Sequence, residues 1–506
     1  MPMRLKSAIK NSFFGVLGQA ALIVVGFFCQ RTMNLLLGAE LVGMNGVISN
    51  VIAILSVSEL GIATAVVYNL YSAIAGRDEQ RIAGLMNLYR KAYLIFALVI
   101  FGLGVGVMPF IHHIMNETAF SQGYIRRLFF LWLVRTVLSY LLSYKRSILI
   151  ADQREYLVSI TALVVNVLNY SLTIVILQLS GNYMWALAVN IVIEAVSNLR
   201  IAAYVNRKYP FLKRLRKAPL EHTIVERVMD NIKNIFVTRL FTKLLLSTDK
   251  IIVSGMITTV TAGLYSNYCL VTQSVVNIMV AFSGALKPTL GNLFLEEDRD
   301  KEVRVLRQIT FLFFLPVSVA SVCIFCLITP FVRDVWLNGE YLMETGFVAA
   351  NVGQFFFTAM GLPMESVMSV TGLFHKERNI AVVTALVNLV LSLLLVGGFG
   401  AAGIALGTIA AYLVQIGCRM RVFFTEYVKQ PAFSYLADLV QYAALTAAEI
   451  VLIYPLTLRV YRGGLLSLLV IGAMAAALAL GADLLLYCRS WKLRSVLNLA
   501  KQAIRR

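Results

Sequence analysis

The sequence predicts an all-α polytopic membrane protein with about fourteen transmembrane helices, arranged as two pseudo-symmetric six-helix lobes plus two extra C-terminal helices. Three observations predict it. Of 506 residues, 59% are hydrophobic and only 14% charged, with a mean hydropathy of +0.78; a soluble domain is nearer half apolar and a quarter charged. Apolar runs of the ~20 residues that a helix needs to cross the hydrocarbon core recur along the whole chain. The basic residues gather between alternate runs, as the positive-inside rule requires.

The fourteen runs span about 12–37, 43–70, 91–112, 125–148, 156–178, 183–204, 232–256, 262–290, 308–331, 346–370, 379–398, 401–423, 436–458 and 464–487. The first follows Arg4, Lys6 and Lys10, exceeds signal-peptide length and lacks an A-x-A-like site, so it reads as a retained helix. With both termini on the cytoplasmic side, 35 of the 45 Lys and Arg residues fall in inside segments, 5 in outside segments and 5 within spans. A missed span would scramble that seven-to-one bias. The net charge of +19 is therefore a topological signal and not a nucleic-acid footprint.

The longest basic segment, RKYPFLKRLRKAPLEHTIVERVMDNIK, separates six spans from eight and suits a linker beside anionic headgroups. A gap-free shift of 217 residues places Gly38 on Gly255, Gly46 on Gly263, Ser49 on Ser266 and Asn50 on Asn267. Both stretches sit at the turn between the first two spans of a half, and both halves begin from the cytoplasm, so the repeat is parallel. The chain divides into a first lobe (1–205), a basic linker (206–231), a second lobe (232–430) and a C-terminal helix pair with a basic tail (431–506).

Five cations sit inside apolar spans: Arg31, Arg135, Arg239, Lys243 and Lys250. Each would cost roughly 2.5–3.5 kcal/mol facing lipid at the bilayer centre. They either line a polar cavity, which would suit an anionic cargo, or pair with acids in a bundle interface. Arg239, Lys243 and Lys250 lie within about 40° of one another on one helix face. Arg suits phosphate through its planar fork, and Lys supplies a compact charge. Snorkelling to the interface is the alternative for Arg31 and Lys250.

The intramembrane acids are Glu59, Glu194, Asp249, Glu365, Glu449 and Asp483. Each is a candidate for coupling to a proton or sodium ion, or for neutralising a cation; Glu59, Glu194, Asp249 and Glu365 lead. No resident cofactor or metal is expected. The six cysteines lie in or beside apolar runs and read as buried thiols, including the Cys323–Cys326 C-x-x-C, which has no nearby partners for zinc. His112 and His113 should diverge at a helix end, and His222 and His375 stand alone. No H-E-x-x-H, G-x-S-x-G or P-loop is present, and no catalytic domain has room.

The stretch LLLGAELVGMNGVISNVIAILSVSELGIATAVVYNLYSAIAGRDEQRIAGLMNLYRKAY resembles the first helices of bacterial Wzx-type polysaccharide flippases of the multidrug/oligosaccharidyl-lipid/polysaccharide (MOP) superfamily. LLLSTDKIIVSGMITTVTAGLYSNY is similar to the start of that family's second half. The resemblance implies a V-shaped two-lobe bundle that opens alternately to each side. It implies a plasma-membrane flippase moving an undecaprenyl-diphosphate-linked oligosaccharide to the outer leaflet, among membrane lipids and alongside a polymerase and chain-length regulator. By that analogy Arg31, Arg239 and Lys243 lead as diphosphate contacts; Arg135 rests on topology alone.

A lipid II flippase is the nearest rival. A multidrug exporter usually takes cations, which this cavity would repel. A membrane-embedded polymerase or ligase would carry a large outer loop, and the longest here is about a dozen residues. A scaffold would not need buried cations.

Overall fold

A computed structural model of the chain describes residues 2–56, 67, 69–215, 222–294, 298–373 and 376–496. The described residues are helical throughout apart from short turns, with no strand among them. In lipid this is forced: a backbone N–H or C=O with no partner costs several kcal/mol, and a helix satisfies its own.

The helices are α1 (Pro2–Leu55), α2 (Glu79–Val107), α3 (Gln122–Ser143), α4 (Arg146–Ala151), α5 (Glu155–Ser180), α6 (Tyr183–Lys208), α7 (Phe211–Arg214), α8 (His222–Met256), α9 (Thr259–Leu293), α10 (Arg299–Phe331), α11 (Thr345–Met360), α12 (Leu362–Val370), α13 (Glu377–Arg421), α14 (Phe433–Val460) and α15 (Gly464–Tyr487). Ten helical stretches among the described residues are long and apolar enough to cross a membrane. Two of them, α1 and α13, break at glycines with positive φ, Gly38 (φ 81°) and Gly400 (φ 55°). Both breaks coincide with boundaries that the sequence places between consecutive spans. Only a residue without Cβ adopts such angles at no cost.

Two compact units divide the chain, residues 1–263 and 264–506. In the first, α5 and α6 form a hairpin closed by Gly181 in the left-handed region, and inside it the buried Asn190 amide donates to Thr173 at 3.1 Å. In the second, α13 folds back at Gly400, and the buried Asn388 amide donates to Thr408 at 2.8 Å. Each hairpin therefore hides its polar side chains against each other. α8, which the sequence assigns to the second repeat, packs against α1 within the first unit.

Three expectations shift. The third span was drawn over 91–112, whereas α2 runs Glu79–Val107. Arg81, Arg90 and Lys91 do not end a helix; they lie within its first half, which starts from an Asp78 cap that accepts the Arg81 N–H at 2.9 Å, and Pro109 follows its other end. The described residues of the linker are largely helical. α6 runs to Lys208 and α8 begins at His222, while Arg214 pairs with Glu79 at 3.1 Å and the Asn87 amide donates to the Leu215 carbonyl. Cys488, read as buried, is exposed because α15 ends at the residue before it.

At one end of the first unit, Asp152 gathers three donors: Tyr209 at 2.6 Å, Lys208 at 3.0 Å and Arg154 at 3.0 Å. Burial alone would raise this carboxyl. The Tyr209 and Lys208 hydrogen bonds and the Lys208 and Arg154 charges outweigh it and hold the group below the usual carboxylate range. At the other end, Glu40 accepts from Thr118 Oγ1 at 2.7 Å and the Ala119 N–H at 2.6 Å. Asn116 exchanges backbone bonds with Ser254 and Thr259 there. One short loop thus pins both turns in which the 217-residue repeat was seen.

Beside those turns two backbones touch. A Cβ on Gly43 would lie 2.0 Å from the Thr259 carbonyl, and one on Gly263 would lie 1.9 Å from that of Ala39. Small residues at a crossing of this kind replace the hydrophobic drive that lipid does not supply. Gly263→Val should cost about 1–3 kcal/mol or more through overpacking, read as a lower unfolding temperature in detergent. Gly284→Ala, where nothing lies within 4 Å of the added carbon, should not lower that temperature.

Asp152 supplies a pH test. With its folded pKa depressed, its stabilisation is complete above the unfolded value of about 3.9 and is lost as pH falls through the lower folded value. The advantage of the wild type over Asp152→Asn in unfolding temperature should be full at pH 7 and shrink below about pH 4.

Candidate functional site

Four of the five intramembrane cations lie on α1 and α8, two helices in contact within the first unit. Arg31 follows the buried Cys29 and precedes the buried Met33 and Asn34 on α1. Its own side chain is exposed and lines an open cleft of about 380 Å³ with Phe28, Thr32, Leu35, Ile174 and Gln178. The cleft is apolar, with Arg31, Thr32 and Gln178 as its polar groups.

On α8 the period of 3.6 separates two faces. Leu245, Ser247, Asp249, Ile252 and Val253 are buried. Arg239 and Leu246 are exposed, and Lys243 and Lys250 are half-buried. The cationic stripe read from the sequence is therefore the more accessible face of the helix. Among the described residues no acid pairs with Arg239, Lys243 or Lys250. Asp249 adjoins Lys250 in sequence but turns inward, as the 100° step requires.

Arg135 has a different fate. Its Nε donates to Glu194 Oε2 on α6 at 2.8 Å, with side-chain exposures of 21% and 27%. The guanidinium lies 5.0 Å from the Trp132 ring centroid, one turn back on α3. Trp132 Nε1 and the Tyr183 hydroxyl both donate to Asn45 Oδ1, at 2.8 and 2.9 Å. The Tyr140 hydroxyl donates to the Ser56 carbonyl at 2.9 Å. α3 is thus bonded along its length to α1 and α6, and one predicted cation and one predicted coupling acid neutralise each other inside that network.

Glu365 lies elsewhere, in the second unit, 3.5 Å from the buried guanidinium of Arg419, which Glu377 also holds at 3.0 Å. Glu59 falls outside the described residues. His112 and His113 do not diverge; a 3₁₀ turn brings their rings together, tilted by 41° with centroids 3.8 Å apart. Among the described residues no group of three or more His, Cys, Asp or Glu side chains is placed to hold a metal.

Sequence reasoning missed the partners more than the charges. Asn45, Trp132 and Tyr183 form a bonded cluster from three helices, and only the Trp132–Arg135 spacing of one turn was visible along the chain. Asp438, between Arg307 at 2.7 Å and Lys492 at 2.5 Å, went unremarked because both cations read as inside-loop charges.

The fold is shared with solved transporters. The lipid II flippase MurJ, in an inward closed conformation, matches with a TM-score of 0.71 at 14% identity over 94% of this chain and 99% of that one. An inward-facing multidrug resistance MATE transporter of the MOP superfamily matches with a TM-score of 0.64 at 15% identity over 81% and 95%. A MOP superfamily transporter from Pyrococcus furiosus matches with a TM-score of 0.54 at 14% identity over 83% and 95%. No protein-family model and no curated protein sequence matches the chain. The likeness is one of fold, an all-α architecture whose long apolar helices suit a membrane.

The Arg135–Glu194 pair is testable by a double-mutant cycle. Arg135→Met leaves a half-buried carboxylate without its cation and should cost more than the double Arg135→Met/Glu194→Gln change. A coupling of about 1–2 kcal/mol, within the range for contacting pairs, should appear in unfolding temperatures.

Proposed function

We propose that this protein is a flippase of the plasma membrane. It carries an undecaprenyl-diphosphate-linked oligosaccharide, a polysaccharide repeat unit, from the cytoplasmic to the outer leaflet by alternating access. The observation that carries the reading is the α8 stripe: Arg239, Lys243 and Lys250 on an accessible face within an apolar helix, with no acid pairing among the described residues. Such charges are costly in hydrocarbon, and a diphosphate would offset that cost with charge-assisted hydrogen bonds.

Arg31, Arg239 and Lys243 are the leading headgroup contacts in this reading, with Lys250 further along the stripe. Arg135, fixed by Glu194, positions α3 more than it binds. The two C-terminal helices α14 and α15 leave the polyprenyl tail in lipid. An inside-negative potential drives an anion outward at about 2.3 kcal/mol per charge per 100 mV. Asp249 and Glu365 join Glu194 and Glu59 as the sites at which a coupling proton or sodium ion would act. A polymerase and a chain-length regulator are the expected neighbours on the outer side.

The lipid II flippase reading stands second. It is favoured by the match to MurJ over nearly the whole of both chains, and its cargo carries the same diphosphate.

Movement of a fluorescent sugar-diphospho-polyprenol across proteoliposome membranes tests the proposal. Wild type should move it, and Arg239→Ala and Lys243→Ala should each slow it roughly tenfold, equivalent to about 1.4 kcal/mol, with unchanged size-exclusion profiles. Wild type that moves lipid II and no other diphospho-polyprenol would select the second reading. Wild type that moves neither would overturn both.

A further inference from the structure

Two carboxylic acids meet in the interior of the second unit, with no cation paired to either among the described residues. Glu449 is 3% and Asp483 0% exposed. They lie on α14 and α15, which pack on each other and on α10. Ser318 of α10 donates to Glu449 Oε2 at 2.7 Å. Glu449 Oε1 and both oxygens of Asp483 have no hydrogen-bond partner among the described residues, yet the two carboxyls are near enough to bond each other once one carries a proton.

Two further buried oxygens lack hydrogen-bond partners among the described residues and lie one helical turn from the pair. Thr446 Oγ1 is one turn before Glu449, and the Tyr487 hydroxyl one turn after Asp483; these residues are 4% and 5% exposed. Helical side chains lean toward the N-terminus, so Tyr487 leans over the turn that holds Asp483. Five buried oxygen atoms on these two helices thus lack hydrogen-bond partners among the described residues, and each such group calls for an explanation.

The surrounding charges do not reach in. Arg307 of α10 and Lys492, just beyond α15, are both held by Asp438, at 2.7 and 2.5 Å. Lys492 also donates to the Tyr442 hydroxyl at 3.0 Å. Cys323 and Cys326 of α10 pack against Ala475, Ala479 and Ile453 as free thiols. The Tyr442 and Tyr487 rings lie 5.9 Å apart. Two ionised carboxylates in contact at low dielectric repel strongly, and burial penalises each again.

We propose that Glu449 and Asp483 form a binding site for one exchangeable positive charge, a proton or a sodium ion, at the junction of α10, α14 and α15. The charge is held between the carboxyls, with the Ser318 hydroxyl as a supporting oxygen and Thr446 and Tyr487 one helical turn away. The site is separate from Glu194, Asp249 and Glu365 and does not depend on the identity of the cargo.

Full-length protein in lipid nanodiscs tests it in sodium-free buffer and in sodium chloride against choline chloride. If sodium is the occupant, the wild-type unfolding temperature should rise saturably with sodium and not with choline, and Asp483→Asn should abolish the rise. If a proton is the occupant, sodium should have no effect. The sodium-free infrared spectrum at pH 7 should then contain a protonated-carboxyl band that shifts in D₂O and is lost in Glu449→Gln/Asp483→Asn. Glu449→Gln alone serves where the double variant does not fold. A wild type with neither a sodium response nor such a band overturns the proposal, and so does a band that survives the substitutions without a sodium response.

Discussion

A charge inside an apolar helix must find a partner, water or a ligand, and the whole arrangement of polar residues in this protein follows from that constraint. Its cations and acids meet it in three ways. Arg135 and Glu194 neutralise each other across two helices. Arg419, Arg307 and Lys492 converge on Glu377, Glu365 and Asp438 near helix ends. Arg239, Lys243 and Lys250 occupy the accessible face of α8 with no acid beside them among the described residues. The first two ways build the bundle. The third leaves charge available to something else, and the functional proposal grows from it.

Packing obeys the same economy. Helices in lipid gain little from burying apolar surface against each other, so contacts rest on close backbone approach and on polar side chains that satisfy one another. The Gly43–Gly263 crossing is the first kind, and the Asn190–Thr173 and Asn388–Thr408 bonds inside the two hairpins are the second. Placed in equivalent hairpins of the two units, these Asn–Thr bonds extend the kinship of the halves beyond the turn residues that suggested it.

Much of this was legible in the sequence because hydrophobic length and loop charge are local properties. α15 runs over the residues the hydropathy marks, 464–487, and the break at Gly400 falls between two expected spans. The start of α2 and the helical residues of the linker were not legible, because hydropathy marks where lipid begins and not where a helix begins. Asp78 caps α2 well outside the apolar run. At the candidate site the charged positions could be read directly, and the inward turn of Asp249 followed from helical geometry. Their partners could not: Glu194 is 59 residues from Arg135, and Asn45 is 138 from Tyr183. The Glu449–Asp483 meeting was equally hidden, since two acids on different helices carry no mark of contact.

The central claim is that the accessible cations Arg31 on α1 and Arg239 and Lys243 on α8 hold an anionic diphosphate headgroup. Native mass spectrometry of the protein released from detergent, with a sugar-diphospho-polyprenol and a cationic amphiphile in competition, measures this most directly. The account predicts that wild type retains the diphosphate lipid and that Arg31→Gln/Arg239→Gln/Lys243→Gln loses it while keeping its fold. Equal retention by the two proteins, or preference of the wild type for the cationic amphiphile, would contradict it.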